Sequence, residues 1–387
     1  MTDNPIFAGP RHRIRRWRNY GMGMGFGVGI EFLFQDDFIT AEAAPLTSPR
    51  TAEPGPGIGT FIQIDGDFSI GVGLLTTTGQ GTPIWGDLGF YGDVQTRAAG
   101  LGLFGKININ DVTFTMGVGW KEDADVNLSA AGGNRWVTFF SADTILIATD
   151  VAGGRVVGVP VDATDYELAI IARDTGAFHL IKGGVFTEWT MLWVLETAMN
   201  ATVYPAYGFR DASGSMDYMR VSQLPSPWDT DYGIATDRLA GARGFGDQFV
   251  HEADFLGEFI QTTVPTAGFT SFQFRRQSVN NYWSVVVEPS TDLSLFEVVA
   301  GVPTLRGIAV GVVGNGDRIV VIANGPTIRV YEQNTLRITY ALAANFQTET
   351  DGSLLALGVG GAVSDIVTWP RVLSGTALRA LDRVADA

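Results

Sequence analysis

Residues 317–331 read DRIVVIANGPTIRVY, and this stretch decides the fold class. An apolar run at 319–323 meets the turn residues Asn-Gly-Pro, after which a second β-branched run follows. Apolar, β-branched runs joined by this turn chemistry are typical of a β-hairpin. Alternate residues such as Ile319 and Val321 should then face a core while their neighbours cover the other face of the sheet.

The same pattern occurs earlier, at 165–181, where the turn reads Arg-Asp-Thr-Gly. A strand pattern also repeats, because NRWVTFF begins at Asn134 and NYWSVVV begins at Asn281. Near the end of each copy an aspartate precedes another alternating run, at Asp217 and at Asp365.

These landmarks keep their order and their spacing. Asn134, Asp165 and Asp217 are separated by 31 and 52 residues, and their counterparts in the second copy by 36 and 48. We interpret this as an internal duplication, which predicts that Trp136 and Trp283 lie on equivalent strands.

The duplication predicts an all-β fold of two tandem antiparallel β-sandwich (jelly-roll) domains behind an extended N-terminal arm. A chain of 387 residues is long enough for two cores. We expect the arm at 1–35, the first domain at 36–225 with extra strands at 36–110, and the second domain at 226–387. The proline-rich segment 225–231 is the predicted linker.

Composition narrows the functions that are compatible with this fold. The net charge of −15 disfavours nucleic-acid binding, and the absence of cysteine excludes disulfides and thiolate sites. The three histidines are far apart in sequence, which gives neither a zinc site nor a histidine-based triad an obvious set of residues. No stretch has the roughly 20 apolar residues of a membrane span.

The N-terminal segment is basic and then glycine-rich, unlike the acidic remainder. We interpret it as an assembly arm that contacts other copies of the chain or neighbouring virion proteins; a loose tail is the alternative. The residues assigned to this arm are Arg11, Arg13, Arg15, Arg16, Arg18, Met22, Met24 and Phe26.

The segment DIVTWPRVLS at 365–374 resembles the closing strand of the laminin-G-like, concanavalin A-like lectin and glucanase superfamily. There an aspartate, alternating apolar residues, an aromatic residue, an arginine and a Leu-Ser pair precede a short helical turn. The first copy ends similarly but lacks the aromatic residue and the Leu-Ser pair. The resemblance implies two curved antiparallel sheets per domain, in tandem as in phage virion proteins. A short helix at 377–384, with Ser374 as its cap, should follow.

Retaining glucanases of this superfamily carry an acid pair on one strand, as Glu-x-Asp-x-x-Glu or with one residue fewer. The sequence has Glu252, Asp254 and Glu258, which share a strand face but include one residue too many. Tryptophan-rich surroundings are missing, so we interpret these residues as solvent-facing strand carboxylates and expect no enzyme.

Two further residue groups could contact ligands. Calcium is common in the superfamily, and Asp123, Asp125 and Asn127 offer oxygen ligands at alternate positions; an ordinary polar loop is the alternative. Trp136 and Trp283 could stack on a glycan, or they could be core residues.

Three functions remain open at this point. The first is a structural protein of a virion or surface assembly, such as a phage decoration or tail component with lectin-like domains. The second is a carbohydrate-binding module of a secreted or host-attachment system. The expected location is the virion, with secretion or a cell surface as the alternative. The third is a divergent glycoside hydrolase. Fold alone does not choose among them.

Overall fold

The computed structural model describes residues 32–387, and the gaps in that description are short. They are 44–45, 47–49, 52–59, 66–67, 72, 78–86, 92–93, 110–115, 123–134, 142–143, 149–154, 159–163, 175, 196–198, 210–213, 230–246, 250–253, 349–352 and 372. The predicted all-β sandwich fold is confirmed, because the described part consists mainly of antiparallel strands with one helix.

The strands of residues 32–223 are β1 (Phe32–Asp36), β2 (Arg50–Thr51), β3 (Thr60–Asp65), β4 (Phe68–Gly71), β5 (Leu74–Thr77), β6 (Asp87–Tyr91), β7 (Gln95–Thr96), β8 (Leu101–Ile109), β9 (Met116–Lys121), β10 (Arg135–Ser141), β11 (Thr144–Ala148), β12 (Arg155–Gly158), β13 (Thr164–Ala172), β14 (Ala177–Gly183), β15 (Phe186–Leu195), β16 (Thr202–Phe209) and β17 (Gly214–Gln223).

The later elements are β18 (Asp247–Phe249), β19 (Phe255–Thr263), β20 (Thr270–Ser278), β21 (Asn281–Val287), β22 (Leu293–Val299), β23 (Val302–Ala309), β24 (Asp317–Asn324), β25 (Thr327–Glu332), β26 (Thr335–Tyr340), β27 (Ser353–Ala356), β28 (Ala362–Pro370) and α1 (Gly375–Ala385).

Within the described ranges these strands form four sheets. An eight-stranded sheet has the order β15-β14-β13-β8-β17-β5-β4, with β1 also paired to β17, and a nine-stranded sheet has the order β12-β11-β10-β9-β16-β6-β3-β2, with β7 paired to β16. The later strands form a six-stranded sheet, β18-β27-β20-β21-β22-β23, and a five-stranded sheet, β26-β25-β24-β19-β28. Strands β8 to β17 and β19 to β28 therefore follow the same order.

The matching order places the repeated tryptophans in corresponding positions. Trp136 lies on β10 opposite Trp120 of β9, and Trp283 lies on β21 opposite Phe274 of β20. Both indoles are fully buried. The extra segment 36–110 contributes strands beyond β17 and β16, which explains why the earlier sheets are wider than the later ones.

The hairpin at 317–331 forms as predicted. Strand β24 ends at Asn324, β25 begins at Thr327, and Gly325 in the turn has a φ of +49°, which glycine adopts without strain. Ile319 and Val321 belong to the core between the five- and six-stranded sheets. Val320 on the opposite face is buried too.

The predicted helix is confirmed and slightly longer than expected. It spans Gly375–Ala385, and Ser374 caps it by accepting a hydrogen bond from the Ala377 amide at 3.4 Å. Its carboxyl end is held by Arg220, whose Nη1 donates to the carbonyls of Val384 at 2.8 Å and Ala385 at 2.7 Å. A cation at the carboxyl end of a helix is favourable because it opposes the helix dipole.

The structure bears on two sequence-based boundaries. The arm was expected to reach residue 35, but Phe32–Asp36 pairs with β17, because burial of Phe34 ties this segment to the sheet. The predicted linker holds a core residue, Trp228, which is fully buried against Phe178 and donates to the Ala377 carbonyl at 3.3 Å. Since Glu31–Ala387 form one compact unit, the division into two domains near 225 stays a prediction.

Replacing Trp283 with alanine should lower the free energy of unfolding by about 3–5 kcal/mol, because a large buried side chain is lost. The indole also donates to the Asn345 carbonyl at 3.0 Å. Trp283→Phe keeps most of the packing and should cost less. Urea denaturation followed by circular dichroism measures both effects, with exposed Leu342→Ala as the control. Equal losses in Trp283→Ala and Leu342→Ala would contradict the core role.

Candidate functional site

The outer face of the six-stranded sheet carries a groove of about 440 Å³. It lies over β20, β21 and β22, with a wall from the start of β23. Inward-facing residues of these strands, such as Trp283 and Val285, fill the core. Strand alternation therefore turns Tyr282, Ser284 and Val286 toward the groove.

Two serines, Ser271 and Ser284, place hydroxyl groups in the floor of the groove beside the apolar residues Val286 and Val298. The Ser271 and Ser284 hydroxyls lie 2.7 Å apart on neighbouring strands, and Ser294 Oγ donates to Glu288 Oε1 at 2.9 Å. Hydroxyl groups can both donate and accept hydrogen bonds, so this floor suits a ligand that does the same. Glu288 lines the groove and gives it a negative charge.

Aromatic and proline side chains form the walls. Phe269 is 55% exposed, and Tyr282 and Phe296 are partly exposed. A two-residue turn with positive φ at Ala300 and Gly301 joins β22 to β23 and brings Pro303 beside the other walls. Rigid aromatic walls over a floor that carries hydroxyl groups are typical of a site for small polar ligands with apolar faces.

The corresponding face of the nine-stranded sheet is built differently on β9. Strand β9 places Gly117, Gly119 and Lys121 there, and all three are buried. Gly119 lies so close to the β10 backbone that an added Cβ would come within 2.3 Å of the Trp136 carbonyl. The two halves therefore share a strand order but differ on this face.

Trp136 and Trp283 do not lie in the groove. Both have no exposed surface, so the glycan-stacking hypothesis for these residues is corrected to a core role. The physical reason is that each side chain points between two sheets, where a ligand has no access. The rings that do face outward are those of Tyr282 and Phe296, which the sequence analysis did not select.

The carboxylates at 254 and 258 do not form an exposed pair, and Glu252 lies outside the described residues. Asp254 Oδ1 accepts hydrogen bonds from Arg275 Nη2 at 2.6 Å and from the Gly325 amide at 3.0 Å. Glu258 is buried on β19 and lies 3.7 Å from Arg318. The expectation that Glu258 faces solvent is wrong, because β19 is covered on both faces.

The other predicted site residues lie outside the part that the structure describes. These are Asp123, Asp125 and Asn127 of the calcium hypothesis and Arg11, Arg13, Arg15, Arg16, Arg18, Met22, Met24 and Phe26 of the arm. In the described ranges no group of three or more acidic or histidine side chains could hold a metal ion. In that same part of the chain, no helix is long and apolar enough to cross a membrane.

A signal for the groove was present in the sequence. In NYWSVVVE, residues 281–288, Tyr282 stands directly before Trp283, so the two side chains point to opposite faces of the strand. Once Trp283 is assigned to the core, Tyr282 and Ser284 must face the other way. Whether that face is open depends on what packs against it, which the strand pattern does not encode.

Comparisons with known proteins returned distant matches to solved structures. The chain is similar to a carbohydrate-binding module from Bacillus subtilis, at 13% identity and a TM-score of 0.28 over 33% of this chain and 84% of that one. A second match is an immunostimulatory antigen and pseudo β-1,3-glucanase of Mycobacterium tuberculosis, at 12% identity and a TM-score of 0.34 over 50% of this chain and 99% of that one. A third match is a galectin of Caenorhabditis elegans, at 5% identity and a TM-score of 0.29 over 34% of this chain and 95% of that one. No family model and no curated protein matches the sequence. At these values the likeness assigns neither a ligand nor an activity.

Proposed function

We propose that this chain is a non-enzymatic carbohydrate-binding protein that holds a neutral glycan in the groove over β20, β21 and β22. The observation that carries the proposal is the combination of exposed Tyr282 and Phe296 rings with a floor of serine hydroxyls and Glu288. Sugar rings have apolar faces that pack on aromatic side chains and hydroxyl rims that exchange hydrogen bonds with such a floor.

The groove also indicates which glycans are favoured. Glu288 accepts a hydrogen bond from Ser294 and has acceptor capacity left for a ligand hydroxyl. Its negative charge would repel a uronic or sialic acid, so neutral sugars fit better. Among the described lining residues Glu288 is the one carboxylate, and retaining hydrolysis requires a close pair, which favours binding over hydrolysis.

A second candidate function is self-assembly through the N-terminal segment, as in a virion or surface lattice. It is supported by five arginines within residues 11–18 of a chain whose net charge is −15. Exposed ion pairs contribute only about 0–1 kcal/mol each, so lasting association would need the apolar residues at 22–34 as well, at about 1.5–3 kcal/mol per buried side chain. Location in a virion, rather than secretion or a cell surface, stays a prediction.

For glycan binding, we expect a glycan array to show binding to neutral glycans in preference to acidic ones. Tyr282→Ala and Phe296→Ala should each weaken binding by about tenfold, or ~1.4 kcal/mol, because each removes one stacking surface. Tyr282→Phe should retain most of the affinity. Isothermal titration calorimetry with the best array ligand measures the effect.

The matched control for these variants is Leu342→Ala, which removes an exposed apolar side chain away from the groove. Thermal unfolding confirms that each variant is folded. Binding that is insensitive to both Tyr282→Ala and Phe296→Ala would place the ligand elsewhere, and an array with no bound glycan would refute the proposed function.

For assembly, deletion of residues 1–30 should convert an oligomer to a monomer without unfolding the sheets, because β1 begins at Phe32 and is retained. Replacing the five arginines with glutamine leaves the apolar positions intact and should produce a weaker, less salt-sensitive oligomer. Light scattering after size-exclusion chromatography at low and high salt measures both. An oligomer unchanged by the deletion would remove this candidate.

A further inference from the structure

A second cavity, of about 630 Å³, lies between the earlier and the later pair of sheets. One wall comes from the β14–β15 turn and the start of β15, and the other from the β24–β25 turn and the start of α1. We call it the Arg371 cleft. Residues that matter for its chemistry are Phe186, Trp189, Asn324, Thr327, Arg371 and Leu378.

Arg371 is the unusual member of this lining. It is only 2% exposed, and among the described residues its guanidinium donates a single long hydrogen bond, from Nη1 to the Leu192 carbonyl at 3.5 Å. Its Nε is buried and donates to nothing in that part of the chain. The edge formed by Nε and Nη2 is therefore unused, and this edge of a guanidinium matches the two oxygens of a carboxylate.

No described carboxylate neutralises Arg371. Asp254 is the acidic group that attracts it, but the Asp254 carboxylate is engaged by Arg275 and the Gly325 amide. Glu188 lies at the exposed side of the cleft and forms no ion pair with Arg371. Arg329 adds a second positive charge nearby, and its own hydrogen bond goes to the Val157 carbonyl at 3.5 Å.

Burial, followed by the charge of Arg329, lowers the pKa of Arg371 to about 10, against smaller opposing effects of Asp254 and Tyr331. The group is still charged at neutral pH. An unpaired buried charge destabilises a fold, so its presence beside an open cavity indicates a partner from outside the chain.

We propose that the Arg371 cleft binds a small molecule through a carboxylate that pairs with the Nε and Nη2 edge of Arg371. Thr327 and Asn324 supply further polar contacts at the cleft, and Phe186, Trp189 and Leu378 face the apolar part of the ligand. An acidic monosaccharide and an acylated amino acid share this chemistry. The groove on the six-stranded sheet is a different site with the opposite charge.

The full-length protein is titrated with D-glucuronate and with N-acetylglutamate, and with D-glucose as the neutral comparison, at matched sodium concentration. Both thermal unfolding and calorimetry are recorded. At least one carboxylate should raise the Tm of the wild type, because a ligand that binds only the folded state stabilises it. Any response to glucose, which is a ligand class assigned to the groove, should be the same in the wild type and in Arg371→Met. Tighter binding of glucuronate would identify a sugar acid, and tighter binding of N-acetylglutamate an amino acid.

Arg371→Met should lose at least about tenfold in carboxylate affinity, since it removes a charge-assisted hydrogen-bond pair. Without ligand its Tm should equal or exceed that of the wild type, because an unpaired buried charge has been replaced by an apolar chain. Arg371→Lys keeps the charge but not the paired geometry and should bind more weakly. This second variant tests the proposal if Arg371→Met does not fold.

The matched control is Arg379→Gln on α1, where the arginine is exposed and donates to the Thr376 hydroxyl. It should respond to carboxylates like the wild type, and so should Tyr282→Ala of the groove. Absence of a Tm rise with either carboxylate would overturn the proposal, as would an equal response in Arg371→Met. Neither result bears on the neutral-glycan groove.

Discussion

Burial of both faces of β19, β24 and β25, the central strands of the five-stranded sheet, is the constraint from which the rest of the structure follows. Its inner face packs on the six-stranded sheet through Ile319 and Val321, as the core cluster shows. Its outer face packs on the earlier half, where Tyr331 meets Trp193 at 5.0 Å and Arg173 lies 5.7 Å from the Trp369 ring. A strand buried on both sides needs a continuous apolar run, which explains the sequence at 319–323. The outer face of the six-stranded sheet is left open over β20, β21 and β22, and there the groove lies.

Helix α1 secures the contact between the halves, and the Arg371 cleft is a consequence of how it does so. Near its end, Asp382 accepts hydrogen bonds from Lys182 at 3.2 Å and Trp189 at 3.1 Å, both from the earlier half. Near its start, two hairpin turns and the first helical turn leave a cavity that no described side chain fills. Arg371 lies between β28 and α1, so the chain path that docks the helix also carries this arginine into the interface.

The strand pattern predicted the fold well because local chemistry decides it. The Asn-Gly-Pro turn, the serine cap and the core-facing alternation of Ile319 and Val321 are each set by neighbouring residues, and all three occur as expected. The repeated aspartates also have a local reason: Asp217 lies at a register shift in β17, and Asp365 lies at one in β28 with a φ of +48°. A bulge re-aims a strand, and aspartate tolerates a positive φ better than most residues.

The candidate sites could not be predicted in the same way, because they depend on contacts between distant segments. What singles out Glu288 and Arg371 is the surroundings that the fold gives them, a groove and a buried cleft without an ion-pair partner among the described residues, and such surroundings have no sequence pattern. The overall charge of −15 repels anions at long range, whereas a buried guanidinium attracts a carboxylate strongly at contact, where the dielectric is low. In an acidic protein, anion recognition is therefore expected from an enclosed arginine such as Arg371, and an open groove lined by Glu288 is expected to take neutral ligands.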